Sequence, residues 1–303
     1  MKRRSYRGAA DLDLLQAFNA SAIAETDGCG YLHPGDIPHH IYNGNKLYQP
    51  ADLLTIWEDE AGVAAWVLAQ PRYKAFDAQV RPNLRRSDFA AEVLTRAEEQ
   101  TVESMRKHEI DGETIEYSVY RGDSDTVEVL EELGWSPSPA EPWVINRMRL
   151  QDAPHAPLPD GYAIRTVRGI AEAAAIAEVH QAAFPGANWT PELYRSVMES
   201  PGYAPEREFV VESPAGGLAA FTVTWLDPVN KTGLFEPVGT HAGFRRRGLG
   251  KALLCHSMKR MAEAGMIYAI VMNAPNNEAS IALYRSCGFE PWHLIDDYIK
   301  PIR

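Results

Sequence analysis

Residues 245–250 read RRRGLG and stand between a strand-like run, 232–241 (TGLFEPVGTH), and a helix-like run, 249–265, with Leu253, Leu254, Met258 and Met261 at helical spacing. A strand, a basic glycine turn and a helix, in that order, suit a pyrophosphate. Glycines at 248 and 250 let several amide N–H groups converge on one anion, and the helix N-terminus adds partial positive charge. The turn is an anion cradle.

The details of the turn narrow the anion. A dinucleotide fingerprint needs a third glycine where Leu253 stands. A P-loop needs a hydroxyl after Gly250-Lys251, where the chain has Ala252, and an upstream glycine where it has Arg245. What remains is R-x-x-G-x-G, filled by Arg245, Gly248 and Gly250. A second segment, 277–289 (NEASIALYRSCGF), begins with an N-cap residue, Asn277, and ends on a helix-stop glycine, Gly288, and a strand-like run (268–272, YAIVM) lies between the two. The two motifs, in this order, resemble the GCN5-related N-acetyltransferases (GNATs). That resemblance implies an acyltransferase with acetyl-CoA as donor.

The 303 residues suit two domains. No apolar stretch approaches 18 residues, so no transmembrane helix is expected. The basic start MKRRSYRG lacks a following apolar region, with Asp11 and Asp13 interrupting it, so export is not expected. Cys29, Cys255 and Cys287 are widely spaced, which indicates neither a disulfide framework nor a zinc site and fits a reducing cytoplasm. A net charge of −11 argues against nucleic acid as a partner, although residues 245–247 and Arg81, Arg85 and Arg86 are local basic spots.

The sequence also repeats itself. Residues 4–8 (RSYRG) are echoed at 165–169 (RTVRG), 80–85 (VRPNLR) at 240–245 (THAGFR), and 129–135 (VLEELGW) at 283–289 (LYRSCGF). Three echoes in one order imply two tandem α/β (α+β) units, each a mixed, mostly antiparallel sheet flanked by helices. Strand 143–150 is expected to close the first sheet and strand 289–299 the second. The proline-rich stretch 152–161 reads as a linker, which gives domains 1–151 and 162–303. Aligning Arg85 with Arg245 places Asp88 at Gly248 and Ala90 at Gly250; aligning Gly134 with Gly288 places Leu130 at Tyr284. The first unit should therefore be structural or substrate-shaping, and the second catalytic.

The resemblance carries roles onto particular positions of the second unit. Arg245, Arg246, Arg247, Gly248, Leu249, Gly250 and Lys251 would hold the pyrophosphate; Val238, Gly239 and Thr240 would offer main-chain N–H groups to the donor arm and acetyl oxygen; Asn277 would touch the arm as well as cap its helix. Tyr284 matches the tyrosine that protonates the departing thiolate. A primary amine presented neutral at pH 7 costs about 4 kcal/mol unless a base takes its proton. Glu236 is the candidate base, because strand alternation puts it on the face of Val238 and Thr240 and puts His241 on the other.

Other residues carry less. His33, His39 and His40 project apart in a loop without a completing carboxylate, so no metal is expected. Cys287 lacks a paired histidine and reads as buried filler, whereas Trp189 could line an acceptor pocket. The expected function is acetyl transfer to a small-molecule amine. The rivals are a non-enzymatic acetyl-CoA sensor and a protein or peptide N-acetyltransferase. Monomer and homodimer are both open.

Overall fold

The computed structural model describes Met1–Ile302, which divide into two compact units: Met1–Trp143 with His293–Ile302, and Val144–Trp292. In the first, β1 (Lys2–Ser5) leads to α1 (Ala9–Thr26), the single turns α2 (Asp36–Pro38) and α3 (Pro50–Leu53), strands β2 (Leu54–Asp59), β3 (Gly62–Gln70) and β4 (Ala75–Val80), then α4 (Asp88–Lys107), β5 (Thr114–Tyr120), α5 (Ser124–Glu132) and the short β6 (Ser136–Pro137). Strands β1 to β4 pair antiparallel in sequence order, and β4 meets β5 in parallel at Ala75 and Glu116. Ala90, Val93, Leu94 and Ala97, one stripe of α4, pack on Val67, Ala78 and Val80.

The second unit repeats the plan. It contains β7 (Trp143–Arg149), β8 (Ala163–Thr166), α6 (Ala173–Ala183), α7 (Pro191–Met198), β9 (Glu208–Glu212), β10 (Leu218–Asp227), β11 (Thr232–Thr240), α8 (Leu249–Glu263), β12 (Tyr268–Asn273) and α9 (Glu278–Ser286). Strands β8 to β11 pair antiparallel, and β12 runs parallel to β11. Helix α7 starts where Thr190 Oγ1 accepts from the Leu193 N–H at 3.2 Å with Pro191 next in the chain. Phe221 and Val210 face α6 and α7, while Ala220 and Val211 face Leu249 and Leu253 of α8. No helix among the described residues is long and apolar enough to cross a membrane.

Where the sheets close, the structure departs from the sequence reading. β7 does not close the first sheet: it pairs antiparallel with β12, Val144 opposite Asn273 through Arg149 opposite Tyr268. The last strand, β13 (Glu290–Pro301), pairs with β5 and β6 of the first unit, Tyr298 opposite Tyr117. Each unit thus takes one of its strands from the other half of the sequence. Alternation tells a strand from a helix but does not say which edge it joins, so the compact units part at Trp143 and His293 rather than at the linker. The stretch 153–159 is irregular, as a linker should be, yet Ala153, Ala156 and Leu158 pack on the second unit.

The first sequence echo has a physical basis. Arg4 grips Asp11 through both terminal nitrogens at 2.6 and 2.9 Å and Glu58 through Nε at 2.7 Å; the Arg7 N–H donates to Asp11 at 2.7 Å. Arg165 grips Glu172 at 2.9 and 2.7 Å and Glu212 through Nε at 2.5 Å; the Arg168 N–H donates to Glu172 at 2.6 Å. Each network ties a strand, β1 or β8, to the helical segment that follows it and to a neighbouring strand. Bidentate arginine fixes that geometry where lysine would not.

Candidate functional site

The cradle is built by backbone conformation at the start of α8. Arg246 and Gly248 both take left-handed φ, +62° and +77°, and α8 begins at Leu249. The Ala252 N–H is the first to find a helical partner, Gly248 O at 3.0 Å, so the amides of Leu249, Gly250 and Lys251 open the helix without one. Gly248 is required for its φ, since a Cβ there would meet nothing within 4 Å; a Cβ at Gly250 would make ordinary contact with Leu283 and Thr240. Arg245 Nη2 donates to Ala183 O at 3.3 Å, and Arg247 to Tyr162 Oη at 3.0 Å and Gly243 O at 3.2 Å. Among the described residues, no carboxylate pairs with Arg245, Arg246 or Arg247, and all three are exposed.

The matching turn of the first unit is neutralised from within. Arg81 pairs with Asp59 at 2.8 Å, Arg86 with Asp125 at 2.6 Å, and Arg85 with Asp123. Arg85 also donates to Thr126 Oγ1 at 2.8 Å and lies over the Tyr31 ring, 5.1 Å from its centroid. Asp123 caps α5 as Asn277 caps α9, through Thr126 N–H and Ser280 N–H respectively. The edge of β4 is satisfied as well, since Tyr31 and Tyr117 donate their hydroxyls to Val80 O at 2.6 Å and Ala78 O at 2.9 Å. These contacts leave the first turn no open positive charge for a pyrophosphate.

β11 separates from β12 where the sequence places the donor arm. Parallel pairing runs from Thr232 to Phe235, and among the described residues 237–240 have no strand register on that edge. The His241 N–H donates to Ala219 O at 2.9 Å, toward β10; by alternation the Val238 and Thr240 N–H groups turn to the open edge. Gly239 answers a different need, because a Cβ there would lie 2.4 Å from the Phe221 ring and 3.0 Å from Ala183. Phe221 itself stacks on His180 with centroids 3.5 Å apart.

The alternation argument for Glu236 does not survive. Thr224 opposes Phe235 and Thr222 opposes Val238, so Glu236 and Pro237 together face the one residue Val223. This β-bulge shifts the phase. Phe235 and Val238, three apart, both pack on the α8 core, and no simple parity links Glu236 to Val238 and Thr240. Glu236 is half-buried, and its carbonyl accepts from Trp225 Nε1 at 2.8 Å.

Tyr284 is 6% exposed, its ring set in the core beside Phe289 at 6.0 Å, and no hydrogen bond engages its hydroxyl among the described residues. Burial first, then the negative charge of Glu236 and the nearby Cys287, push its pKa well above the ordinary phenol value. The hydroxyl keeps its proton at neutral pH, but the gap to a free thiol is wider than the sequence reading allows. The same desolvation raises any thiolate released beside it. Cys287 is fully buried against Cys255; that hydrogen bond and then burial push its thiol up, as inert filler requires.

Some residues were placed elsewhere, and others were missed. Trp189 is buried edge-on to His180 and Tyr194, packing the α6–α7 core rather than lining a pocket. His40 Nδ1 pairs with Asp77 at 2.8 Å, and no metal-holding group of His, Cys, Asp or Glu occurs among the described residues. Fully buried Glu208 accepts from Tyr194 at 2.5 Å and Tyr203 at 2.8 Å, with His180 Nε2 3.7 Å away. No local spacing advertises that cluster, or the Phe221–Gly239 contact, because the partners come from different elements.

Residues 173–289 match the model of the acetyltransferase (GNAT) family. Over nearly its whole length the chain is similar to the mycothiol acetyltransferase of Paenarthrobacter aurescens (strain TC1), 26% identical over 307 residues, with 94% of this chain and 92% of the relative covered. The mycothiol acetyltransferase of Arthrobacter sp. (strain FB24) is 25% identical over 310 residues, with the same coverage of each. Among solved structures, a tandem GNAT protein from the clavulanic acid biosynthesis pathway matches with a TM-score of 0.66 at 16% identity, covering 99% of this chain and 98% of that one. A GCN5-related N-acetyltransferase from Sphaerobacter thermophilus matches with 0.65 at 19%, covering 100% and 96%. At these identities the structural likeness is one of fold.

Proposed function

With residues 173–289 identified as a GNAT acetyltransferase domain, and the protein thereby an acyltransferase of that family, we propose that Val144–Trp292 transfers an acetyl group from acetyl-CoA to the amine of a small molecule. One observation carries the placement. Among the described residues, the three arginines at 245–247 have no carboxylate partner, while Arg81, Arg85 and Arg86 each have one. The donor fits the residues present: a left-handed glycine opens α8, three helix-start amides are without helical partners, and the cradle charge is open.

Acetyl-CoA supplies an activated thioester when bound. Arg245, Arg246, Arg247 and the amides of Leu249, Gly250 and Lys251 hold the pyrophosphate, with Asn277 beside the arm. The Val238 and Thr240 N–H groups polarise the acyl oxygen, an oxyanion-type contribution fixed before reaction. Gly239 lets this segment lie against Phe221. Glu236 takes the amine proton directly or through a water, and Tyr284 Oη holds the proton for the departing sulfur. The first unit has no donor site of its own, its turn arginines being paired from within.

A small-molecule acceptor is the reading favoured by the names of the full-length relatives. The three free thiols suit a reducing compartment, and we place the enzyme in the cytoplasm. The test is calorimetric binding of CoA together with thiol release from acetyl-CoA across amines, aminoglycosides, polyamines and peptides. One site per chain and turnover with a small amine are expected. Binding without turnover of any acceptor would replace transfer with sensing.

A further inference from the structure

Arg207 lies just before β9, half-buried, with its guanidinium carbon 5.1 Å from the centre of the Trp225 ring. Its Nη2 donates to Gly202 O, and among the described residues no carboxylate lies within salt-bridge distance of it. Of the two carboxylates adjacent in the chain, one is committed elsewhere and the other makes no ion pair with it among the described residues. Glu208, the next residue, gives one oxygen to Tyr194 and the other to Tyr203, and Glu206 is exposed. Drawing a guanidinium from water without a counter-charge is costly, and Arg4 and Arg165 show the ordinary remedy, each fixed by two carboxylates. Arg207 lacks that remedy.

Its aromatic floor is tied to the segment that carries the candidate base. Trp225 and Phe221 share one face of β10, Phe221 against Gly239 and Trp225 hydrogen-bonded through Nε1 to the carbonyl of Glu236. The indole that floors Arg207 therefore also holds the bulge that carries the candidate base. Resting on the acetyl-transfer reading above, we propose that Arg207 on Trp225 receives a carboxylate of the acceptor, so that the substrate is an amine bearing a carboxylate of its own. A single planar fork over an aromatic floor matches a planar, singly charged carboxylate, whereas a phosphate calls for more than one cation. Burial, opposed by Glu206 and Tyr203, pulls the Arg207 pKa below its ordinary value, in keeping with a guanidinium awaiting an anion.

The test compares α-amino acids with their carboxamides as acceptors. The wild type should favour the acid by about 10–100-fold in kcat/KM, the size of one charge-assisted bidentate contact. Arg207→Met should erase the preference while leaving CoA affinity unchanged and the thermal midpoint the same or higher, since it removes a desolvated charge. Propionate should inhibit the wild type competitively against the amine and not against acetyl-CoA, a reading that needs no variant. Equal use of acid and amide by the wild type, or a preference that persists in Arg207→Met, overturns the proposal. If no amine of any kind is acetylated, the transfer reading fails by itself. Tryptophan fluorescence titration of the CoA-loaded protein with the same pairs then decides: tighter binding of the acid, lost in Arg207→Met, keeps the carboxylate site, and equal binding removes it.

Discussion

Arg85 donates to the carboxylate of Asp123, the residue that caps α5 as Asn277 caps α9. At this cap, amide against acid, the second unit lacks the counterpart of one of the three carboxylates, Asp59, Asp123 and Asp125, that consume the charge of the first turn. Asn277→Asp tests this without disturbing the helix, because aspartate caps as well as asparagine. CoA affinity should fall roughly tenfold, the scale of one added charge in contact range of an anionic donor, with the thermal midpoint unchanged. Equal affinity by calorimetry would detach the cap from the donor site.

Gly248 is vulnerable in two ways. Alanine there must adopt φ near +77°, a strain of about 1–2 kcal/mol, and should weaken CoA binding moderately. Aspartate adds a charge where the pyrophosphate would rest and should abolish binding. If Gly248→Asp binds CoA as the wild type does, the cradle is misplaced.

Tyr284→Phe should fold normally, since the ring stays in the core and the hydroxyl makes no hydrogen bond among the described residues. Turnover should fall on the order of 10²–10⁴-fold with acetyl-CoA affinity little changed. Because the Tyr284 pKa is raised, its ionisation should not limit activity at mildly alkaline pH. A variant that loses stability but keeps its turnover per folded molecule would assign Tyr284 to packing alone.

The paired arginine networks predict acid sensitivity in both units. Burial tends to raise the pKa of Asp11 and Glu172, but hydrogen bonds and charge from Arg4 with Arg7, and from Arg165 with Arg168, outweigh it and hold both below their ordinary values. A carboxylate depressed in the folded state contributes stability that is present above its unfolded pKa, about 4, and is lost as pH falls through the folded value. The thermal midpoint should drop below pH 4, and Asp11→Asn or Glu172→Gln should be less stable at pH 7 with a flatter acid limb. An unchanged acid limb in both variants would show that other groups dominate.

What the sequence disclosed was local and contiguous. The cradle is six consecutive residues whose conformations depend on one another, the Asn277 cap reaches three residues ahead, and the Arg4 and Arg165 echoes sit beside their own helices. What it concealed depends on pairing between distant segments. β7 and β13 carry equivalent strand patterns, and only the register with β12 and β5 shows that they cross between sheets. The bulge at Glu236 and Pro237 exists because β10 offers Val223 alone opposite them. Arg207 on Trp225 joins residues from two strands, and neither residue type signals the contact by itself.

The bulge makes Glu236 a sharper question than strand parity did. Its charge is one of the influences that raise the Tyr284 pKa, after burial, so the charge of the candidate base reaches the candidate acid. Glu236→Gln keeps the size and hydrogen-bonding capacity and removes the charge. If Glu236 accepts the amine proton, the variant should be slow at pH 7 and recover as pH approaches the pKa of the acceptor amine, where solvent supplies neutral amine. The Tyr284 phenol should ionise at lower pH in the variant by ultraviolet titration, though still above the free phenol value because burial is the larger cause. A role confined to binding would instead raise KM with little recovery. A pH–rate profile of Glu236→Gln parallel to that of the wild type would take Glu236 out of the mechanism and leave proton removal to a water-mediated route.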